Sequence, residues 1–377
     1  MGRQLHVYKP LADERAYIRL VLLQPGIPSD EIHIYLQDTP LQKFTSSESG
    51  GSLEKELKAL SSPRKKAASD EEPGLALYEA LSYTWGDQRN RKSVDIGPGG
   101  VKDIGMNLEE ALRHLRRKDE VRVLWIDALS INQDDNKEKS AQVPLMGDVF
   151  RSASRVVMWL GAERDESTYA LDLMRGLGSN IEVDWFHIKM KASDETLSDP
   201  SWTDEPFDDV EPHSLHALFM RPWFDRLWIR QEVFLASRDS ILCCGLDELH
   251  WSVFCKAVFR IAAREIGKHR LGKEGQAFLK RVSIIVSICS PSPYGVLQLR
   301  QRLRPTKCND QRDYIYGVLN IMTPSLGIKP DYGISTARVY EDLFMRFFSQ
   351  QNDLNLPLSC DISTNEADLP SWPPAEA

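Results

Sequence analysis

Long apolar runs are absent from this sequence of 377 residues. Its apolar stretches, such as Ser283–Cys289, fall far short of the roughly 20 residues that a membrane-spanning helix needs. Residues Met1–Pro10 are polar and charged, and they lack the apolar core of a secretory signal peptide. We therefore expect no membrane association and a cytoplasmic location.

Cysteine is scarce, with six residues in the chain, and none of them forms a CxxC pair or a zinc-finger spacing with histidine. We expect reduced thiols that act mainly as small core residues. His213 and His216 lie three residues apart, but no third ligand accompanies them in the sequence. We therefore expect no metal site.

An excess of positive charge is also missing, since the net charge is −8. Between Ala192 and Pro212 there are eight acidic residues and no Lys or Arg, and the rest of the chain carries 47 acids against 47 basic residues. Nucleic-acid binding needs a basic face, so we expect no nucleic-acid partner. We interpret 192–212 as an acidic, flexible insertion.

The first quarter of the chain predicts a β-hairpin followed by a linker. Tyr17–Leu23 and Ile32–Leu36 have strand length and apolar character, and Pro25-Gly26 lies between them as a turn. Ser, Gly, Lys and Glu dominate residues 46–74, which we interpret as a flexible insertion. The predicted organisation is a hairpin segment over 1–45, this insertion, an α/β domain over 75–245 and a mainly helical region over 246–377.

The α/β prediction depends on four apolar segments of strand length: Glu79–Tyr83, Val121–Ile126, Arg155–Leu160 and Ile241–Cys244. Amphipathic helices alternate with them, which favours a parallel sheet with helices on both faces. We predict that Asn107 caps the first helix and that the second starts or kinks near Pro144. A third helix is predicted over Trp223–Ala236. Arg312 and Asp313 are expected at a junction between the sheet and the C-terminal helices.

Familiar catalytic signatures are missing: there is no P-loop, no GxGxxG after a strand, no HExxH and no GxSxG. Three polar and aromatic clusters stand out instead. The first is Trp85-Gly86-Asp87, and the second is Trp125-Ile126-Asp127 followed by Ser130, Asn132, Gln133 and Asp134. The third is Arg221–Arg226, which leads into Trp228, Arg230, Gln231 and Glu232. Ligands of open parallel sheets bind at the carboxyl ends of strands, and the first two clusters follow strands. The alternative is that the Trp side chains cover the sheet edges and the Asp and Asn side chains cap helices.

The same segments resemble the fungal heterokaryon-incompatibility (HET) domain. Its opening motif is similar to Leu77–Asp87, and its second motif is similar to Leu124–Ala128 and Ile131-Asn132-Gln133. Its third block resembles Arg221-Pro222-Trp223-Phe224 with Gln231-Glu232, and Arg312–Gly317 resembles the element that follows in longer members. Several motifs in the same order make the resemblance specific.

The resemblance implies a TIR-like, flavodoxin-like fold and a role in non-self recognition and programmed cell death. TIR enzymes cleave NAD with one carboxylate on a helix, which implies Glu232 as the catalytic residue. The implied substrate-binding residues are Trp85, Gly86, Asp87, Asp127, Asn132, Gln133, Asp134 and Trp228. NAD would be a substrate, with no cofactor, and the expected partners are further copies of the chain or other cell-death signalling proteins. The alternative is a non-enzymatic signalling module that acts by domain assembly, with Glu232 anchored to Arg226 or Arg230.

Overall fold

A computed structural model describes residues 4–41, 77–97, 100–185, 189–193, 211–266, 273–290, 295–296, 302–303 and 305–351. The predicted insertion 46–74 lies outside the described residues, as does the acidic insertion 192–212 apart from its two ends. Among the described residues, no helix is both long enough and apolar enough to cross a membrane.

Ten strands form the main sheet, and two more form a small separate sheet. The strands are β1 (Gln4–Leu5), β2 (Tyr17–Leu23), β3 (His33–Pro40), β4 (Glu79–Tyr83), β5 (Arg91–Ile96), β6 (Gly100–Gly105), β7 (Arg122–Trp125), β8 (Arg155–Trp159), β9 (Ile181–Asp184), β10 (Lys189–Ala192), β11 (Ile241–Cys244) and β12 (Asp247–His250). The order in the main sheet is β1-β6-β5-β3-β2-β7-β4-β8-β11-β12, and β9 pairs with β10.

The helices connect and cover these strands. They are α1 (Met106–Leu115), α2 (Asp127–Ser130), α3 (Asn136–Gln142), α4 (Met146–Ser152), α5 (Ser167–Ser179), α6 (Glu211–Phe219), α7 (Ile229–Phe234), α8 (Trp251–Ile266), α9 (Lys273–Cys289), α10 (Asp313–Tyr316) and α11 (Thr336–Gln351). Short 3₁₀ turns lie at Val143–Leu145, Pro222–Asp225 and Leu319–Ile321.

The α/β prediction is confirmed. The four predicted strands are neighbours in the order β7-β4-β8-β11, and every pairing among them is parallel. Numbered by chain position, this order is 2-1-3-4, as in flavodoxin-like sheets, whose ligands bind where the order reverses. The predicted hairpin β2–β3 is present, and its strand β2 pairs antiparallel with β7.

Alternate residues of the central strands face two different cores. Val156 and Met158 of β8 belong to the larger core, which also contains apolar residues of α4 to α9 and α11. Val157 and Trp159 belong to the smaller core, which is covered by α1. The sheet is therefore buried on both faces, as strands without apolar–polar alternation require.

Two local predictions are wrong and one is confirmed. Asn107 does not cap α1, which begins at Met106 after Gly105; the Asn107 amide instead donates to the carbonyl of Thr84. The helix predicted over Trp223–Ala236 is broken between Asp225 and Ile229. There the backbone of Arg226 forms a bridge with Lys307, and Leu227 N–H donates to the Lys307 carbonyl at 3.0 Å. The kink expected at Pro144 is present as a 3₁₀ turn between α3 and α4.

The helices that follow the last parallel strand share the larger core with the sheet. Phe254 of α8, Phe278 of α9 and Leu343 of α11 all lie in it, beside Trp223 and Leu242. Arg312 donates to both oxygens of Asp310 and to the carbonyls of Tyr332 and Ile334, all within the C-terminal region. Asp313 makes the contact across the expected junction, because it accepts a hydrogen bond from Trp228 at 3.3 Å. The boundaries at 45, 75 and 245 remain a prediction.

Candidate functional site

The carboxyl ends of β4 and β7 place Trp85 and Asp127 side by side. The indole N–H of Trp85 donates to Asp127 Oδ2 at 2.9 Å, and the backbone N–H of Ala128 donates to Asp127 Oδ1 at 2.7 Å. Both carboxylate oxygens therefore have a fixed donor. This contact joins the first two sequence clusters at the edge of the sheet where ligands of such folds bind.

The turn after β4 is held in one conformation. Gly86 has φ +66°, in the left-handed region that favours glycine. The side chain of Gln88 donates to the carbonyl of Trp85 at 2.6 Å, and Asn107 holds the carbonyl of Thr84. The backbone on both sides of Trp85 is thus tethered, which orients its indole toward Asp127.

The loop after β7 uses its polar residues to maintain its own shape. Asn132 N–H donates to Glu138 Oε1 at 2.7 Å, and Gln133 Nε2 donates to the carbonyl of Asp127 at 2.9 Å. Asp134 is exposed, and its N–H donates to Asn132 Oδ1 at 3.3 Å. A buried ion pair, 2.5 Å long, between Arg19 of β2 and Glu138 of α3 ties this loop to the sheet.

Glu232 of α7 lies close to the same edge but is almost completely buried, with 2% of its surface exposed. Its carboxylate accepts a hydrogen bond from the hydroxyl of Ser82 in β4 and one from Arg226 Nη1 at 3.3 Å. The indole N–H of Trp223 in turn donates to Ser82 Oγ at 2.8 Å. The side chain of Arg226 is 14% exposed, against 3% for the side chain of Glu232.

The charge of Arg226 acts on both carboxyl groups of this edge. Burial raises the pKa of Glu232; the charge of Arg226 and the Ser82 hydrogen bond oppose this effect, while the charge of Asp127 adds to it. Burial also raises the pKa of Asp127, against the charge of Arg226 and the Trp85 hydrogen bond. Only one guanidinium thus compensates the charges of two carboxylates, which favours retention of a proton on one of the two acids. We name Trp85, Asp127, Arg226 and Glu232 the carboxylate cluster.

The other predicted site residues lie apart from this cluster or serve the loops. Asp87 is exposed and binds Arg89 at 2.8 Å. Trp228 precedes α7, and its indole N–H donates to Asp313 Oδ2 at 3.3 Å. Gly86 shapes the turn, and the side chains of Asn132 and Gln133 bond within the loop after β7.

Ser82 is not among the predicted site residues, yet it contacts both Glu232 and Trp223. Its only signal was a hydroxyl in the otherwise apolar part of a strand, and Ser82 is 1% exposed. Buried hydroxyls need partners, so the residue indicated a polar contact without indicating its partner. Only the fold brings Ser82 and Glu232 together.

Comparison with known proteins bears on the same segment. Residues 78–232 match the family model described as heterokaryon incompatibility protein (HET). This segment of the chain is therefore similar to the HET family. The match begins beside β4 and ends at Glu232, so Ser82 and all four residues of the carboxylate cluster lie within it.

A curated relative extends the similarity beyond this segment. Heterokaryon incompatibility protein 6, OR allele, from Neurospora crassa is 28% identical over 361 aligned residues. The alignment covers 79% of this chain and 53% of the relative, so this chain spans about half the length of that relative. No solved structure gives a significant match.

Proposed function

We propose that this chain acts in heterokaryon incompatibility, a form of fungal non-self recognition. We also propose that it is an effector of programmed cell death. The match to the HET family over 78–232 supports the role in recognition, as does the similarity to a protein named for heterokaryon incompatibility. The chemistry of the carboxylate cluster supports a step that depletes a nucleotide.

The reaction we infer is cleavage of the nicotinamide–ribose bond of NAD at a TIR-like site. The main observation in its favour is that two buried acids, Asp127 and Glu232, share one guanidinium at the carboxyl ends of the parallel strands. When both acids are ionised, the cluster has one negative charge in excess. A ligand with a cationic ring nitrogen would compensate that charge in a site of low dielectric.

The bond cleavage itself needs little acid catalysis. Nicotinamide leaves its ribose as a neutral base, and positive charge develops on the sugar as an oxocarbenium ion. The cationic ring of bound NAD favours ionisation of Glu232, and the carboxylate then stabilises the charge that develops on the sugar. Water adds to the ribose to complete the hydrolysis, and the proton that it loses passes to solvent. Trp85, held by Asp127, offers an aromatic face for a base, and the nearby turn offers backbone groups to the ribose.

Access to Glu232 requires a movement of Arg226. The carboxylate is almost fully buried and the guanidinium contacts it at 3.3 Å, so substrate reaches it when Arg226 turns outward or toward Asp127. Because the Arg226 side chain is already 14% exposed, it can turn toward solvent. Arg226 therefore acts as a gate in this proposal.

A second candidate is a non-enzymatic module that acts by assembly with further copies or with other cell-death proteins. The burial of Glu232 and its bonds to Ser82 and Arg226 favour it, because these contacts also suit a residue that anchors α7. In that case the cluster stabilises the fold, and the signal passes through a surface.

Glu232→Gln separates the two candidates, because it keeps the shape of the side chain and removes its charge. Purified full chain is incubated with NAD, and release of nicotinamide is followed by chromatography. We expect the substitution to reduce the rate at least about 100-fold, as removal of one preorganised electrostatic group does. The melting temperature should change little, because Asp127 still compensates Arg226.

Glu341→Gln is the matched control, since Glu341 lies on α11 in an exposed pair with Arg338. It should release nicotinamide at the wild-type rate. Absence of release from the wild-type chain, together with full killing of fungal cells by Glu232→Gln, would contradict the enzymatic proposal and support assembly.

A further inference from the structure

A second cluster of ligand-type side chains lies far from the carboxylate cluster, where β3 pairs with β5. The two strands are parallel, and His33 of β3 is directly opposite Asp95 of β5. Glu31 precedes His33 by two residues. Ile32 and Ile34 are buried at 3% and 0% exposure, so Glu31 and His33 extend to the opposite, solvent side.

Backbone bonds fix this geometry. Asp95 N–H donates to the Ile32 carbonyl at 3.1 Å and Gly97 N–H donates to the Ile34 carbonyl at 3.0 Å. On the other side of β3, Gln24 N–H donates to the His33 carbonyl at 3.0 Å. The Cα positions of His33 and Asp95 are therefore set by the sheet. Glu31 lies just before β3, where Arg116 Nη1 donates to its carbonyl at 2.8 Å.

We propose that Glu31, His33 and Asp95 form a binding site for a divalent transition-metal ion. One ligand atom from each side chain lies within 4.8 Å of the other two. His33 Nδ1 and Asp95 Oδ2 are 3.2 Å apart. Two ligands of a tetrahedral Zn²⁺ ion, each about 2.0–2.1 Å from the metal, lie about 3.3 Å apart.

The donor set determines the class of metal. One imidazole nitrogen and two carboxylate oxygens suit Zn²⁺ and other divalent transition-metal ions such as Mn²⁺ or Co²⁺, whereas Mg²⁺ and Ca²⁺ prefer oxygen alone. Three protein ligands leave a position for water. The side chains of His33 and Asp95 are 53% and 24% exposed, so an ion reaches them from solvent.

Such an ion would join two parts of the chain. Glu31 and His33 belong to the N-terminal hairpin, whereas Asp95 belongs to the HET-domain match. Because the folded chain brings the three ligands together, binding favours the folded state and raises the melting temperature.

Isothermal titration calorimetry tests this site. The full chain is freed of metal with EDTA, desalted at pH 7.5, and titrated with ZnCl₂ and separately with MnCl₂. We expect one saturable equivalent of Zn²⁺, weakened at least about tenfold in both His33→Ala and Asp95→Asn. His250→Ala, which removes an exposed histidine of β12, is the control and should bind like wild type.

Thermal unfolding with and without Zn²⁺ gives a second readout, and the rise in midpoint should vanish in Asp95→Asn. Glu31→Gln replaces His33→Ala if the latter fails to fold. The site is overturned if the wild type binds no saturable equivalent, or if these variants bind as tightly as wild type. Equal loss of binding in His250→Ala also overturns it.

Discussion

Glu79 holds two arginines at the start of β4. Arg122 Nε of β7 and Arg155 Nε of β8 each lie 2.5 Å from a different oxygen of its carboxylate. Burial alone would raise the pKa of Glu79, but the hydrogen bonds and charges of the two guanidinium groups outweigh it, so the pKa lies below its ordinary value. One side chain thus links the three strands that surround the candidate site.

Glu79→Gln should lower the free energy of unfolding by about 3 kcal/mol at pH 7.5, because it leaves two partly buried cations without an anion. Because the pKa of Glu79 is lower in the folded state than in the unfolded state, its carboxylate stabilises the fold at pH values above the unfolded-state pKa. This contribution to stability is lost as the pH falls through the folded-state pKa. Urea unfolding should therefore show a smaller difference from wild type at pH 4. Glu341→Gln should match wild type at both pH values, and an equal loss at both would contradict the assignment.

At the scale of elements, α5 and α8 approach closely because of one glycine. A Cβ on Gly178 would lie 2.1 Å from the carbonyl oxygen of Val253 in α8, whereas a Cβ on Gly176 would have no atom within 4 Å. The two positions share a helix and differ by two residues, yet only one faces the neighbouring helix.

Gly178→Ala should therefore destabilise the fold by about 2 kcal/mol, the cost typical of overpacking. Gly176→Ala should stabilise it by about 0.5–1 kcal/mol, because alanine reduces the freedom of the unfolded chain and suits a helix. Denaturant titration of the two variants measures both effects. The helix contact would be in doubt if the two substitutions shifted the midpoint in the same direction.

For the molecule as a whole, Asp313 connects the HET-domain match to the C-terminal helices. Its carboxylate accepts hydrogen bonds from Tyr332 Oη at 2.8 Å and from Trp228 Nε1 at 3.3 Å. Burial raises the pKa of Asp313 to about 6, although both hydrogen bonds oppose the effect. The folded chain thus retains a proton that the unfolded chain releases near pH 4.

Stability associated with Asp313 should fall as the pH rises from about 4 to about 6, because the folded state binds more protons in that window. Asp313→Asn does not titrate, and its amide can donate to Tyr332 while its carbonyl accepts from Trp228. We expect it to be more stable than wild type at pH 7.5 by up to about 3 kcal/mol, with a smaller difference at pH 4.5. Urea unfolding at the two pH values checks this, and an unchanged difference would refute it.

Sequence patterns predict the parallel strands correctly, but they do not predict the contacts within the carboxylate cluster. Ile241–Cys244 is apolar throughout and Glu79–Tyr83 is mostly apolar, and local composition alone predicts such strands. The break at Arg226 depends on a backbone bridge to Lys307, a partner distant in sequence, so helical periodicity could not reveal it. The pairing of Trp85 with Asp127 followed from strand ends, whereas the burial of Glu232 beside Arg226 depends on how α7 packs.

The hairpin β2–β3 lies inside the main sheet rather than at its edge, between β7 on one side and β5 on the other. Residues 78–232 therefore contribute two sets of strands, and within the sheet these sets are joined only through β2 and β3, which lie outside the family match. A gene fusion that transplanted the matched segment alone would leave β7 with an open hydrogen-bonding edge and β5 without its neighbour. Exchange of this module between proteins would thus have to include the upstream strands as well.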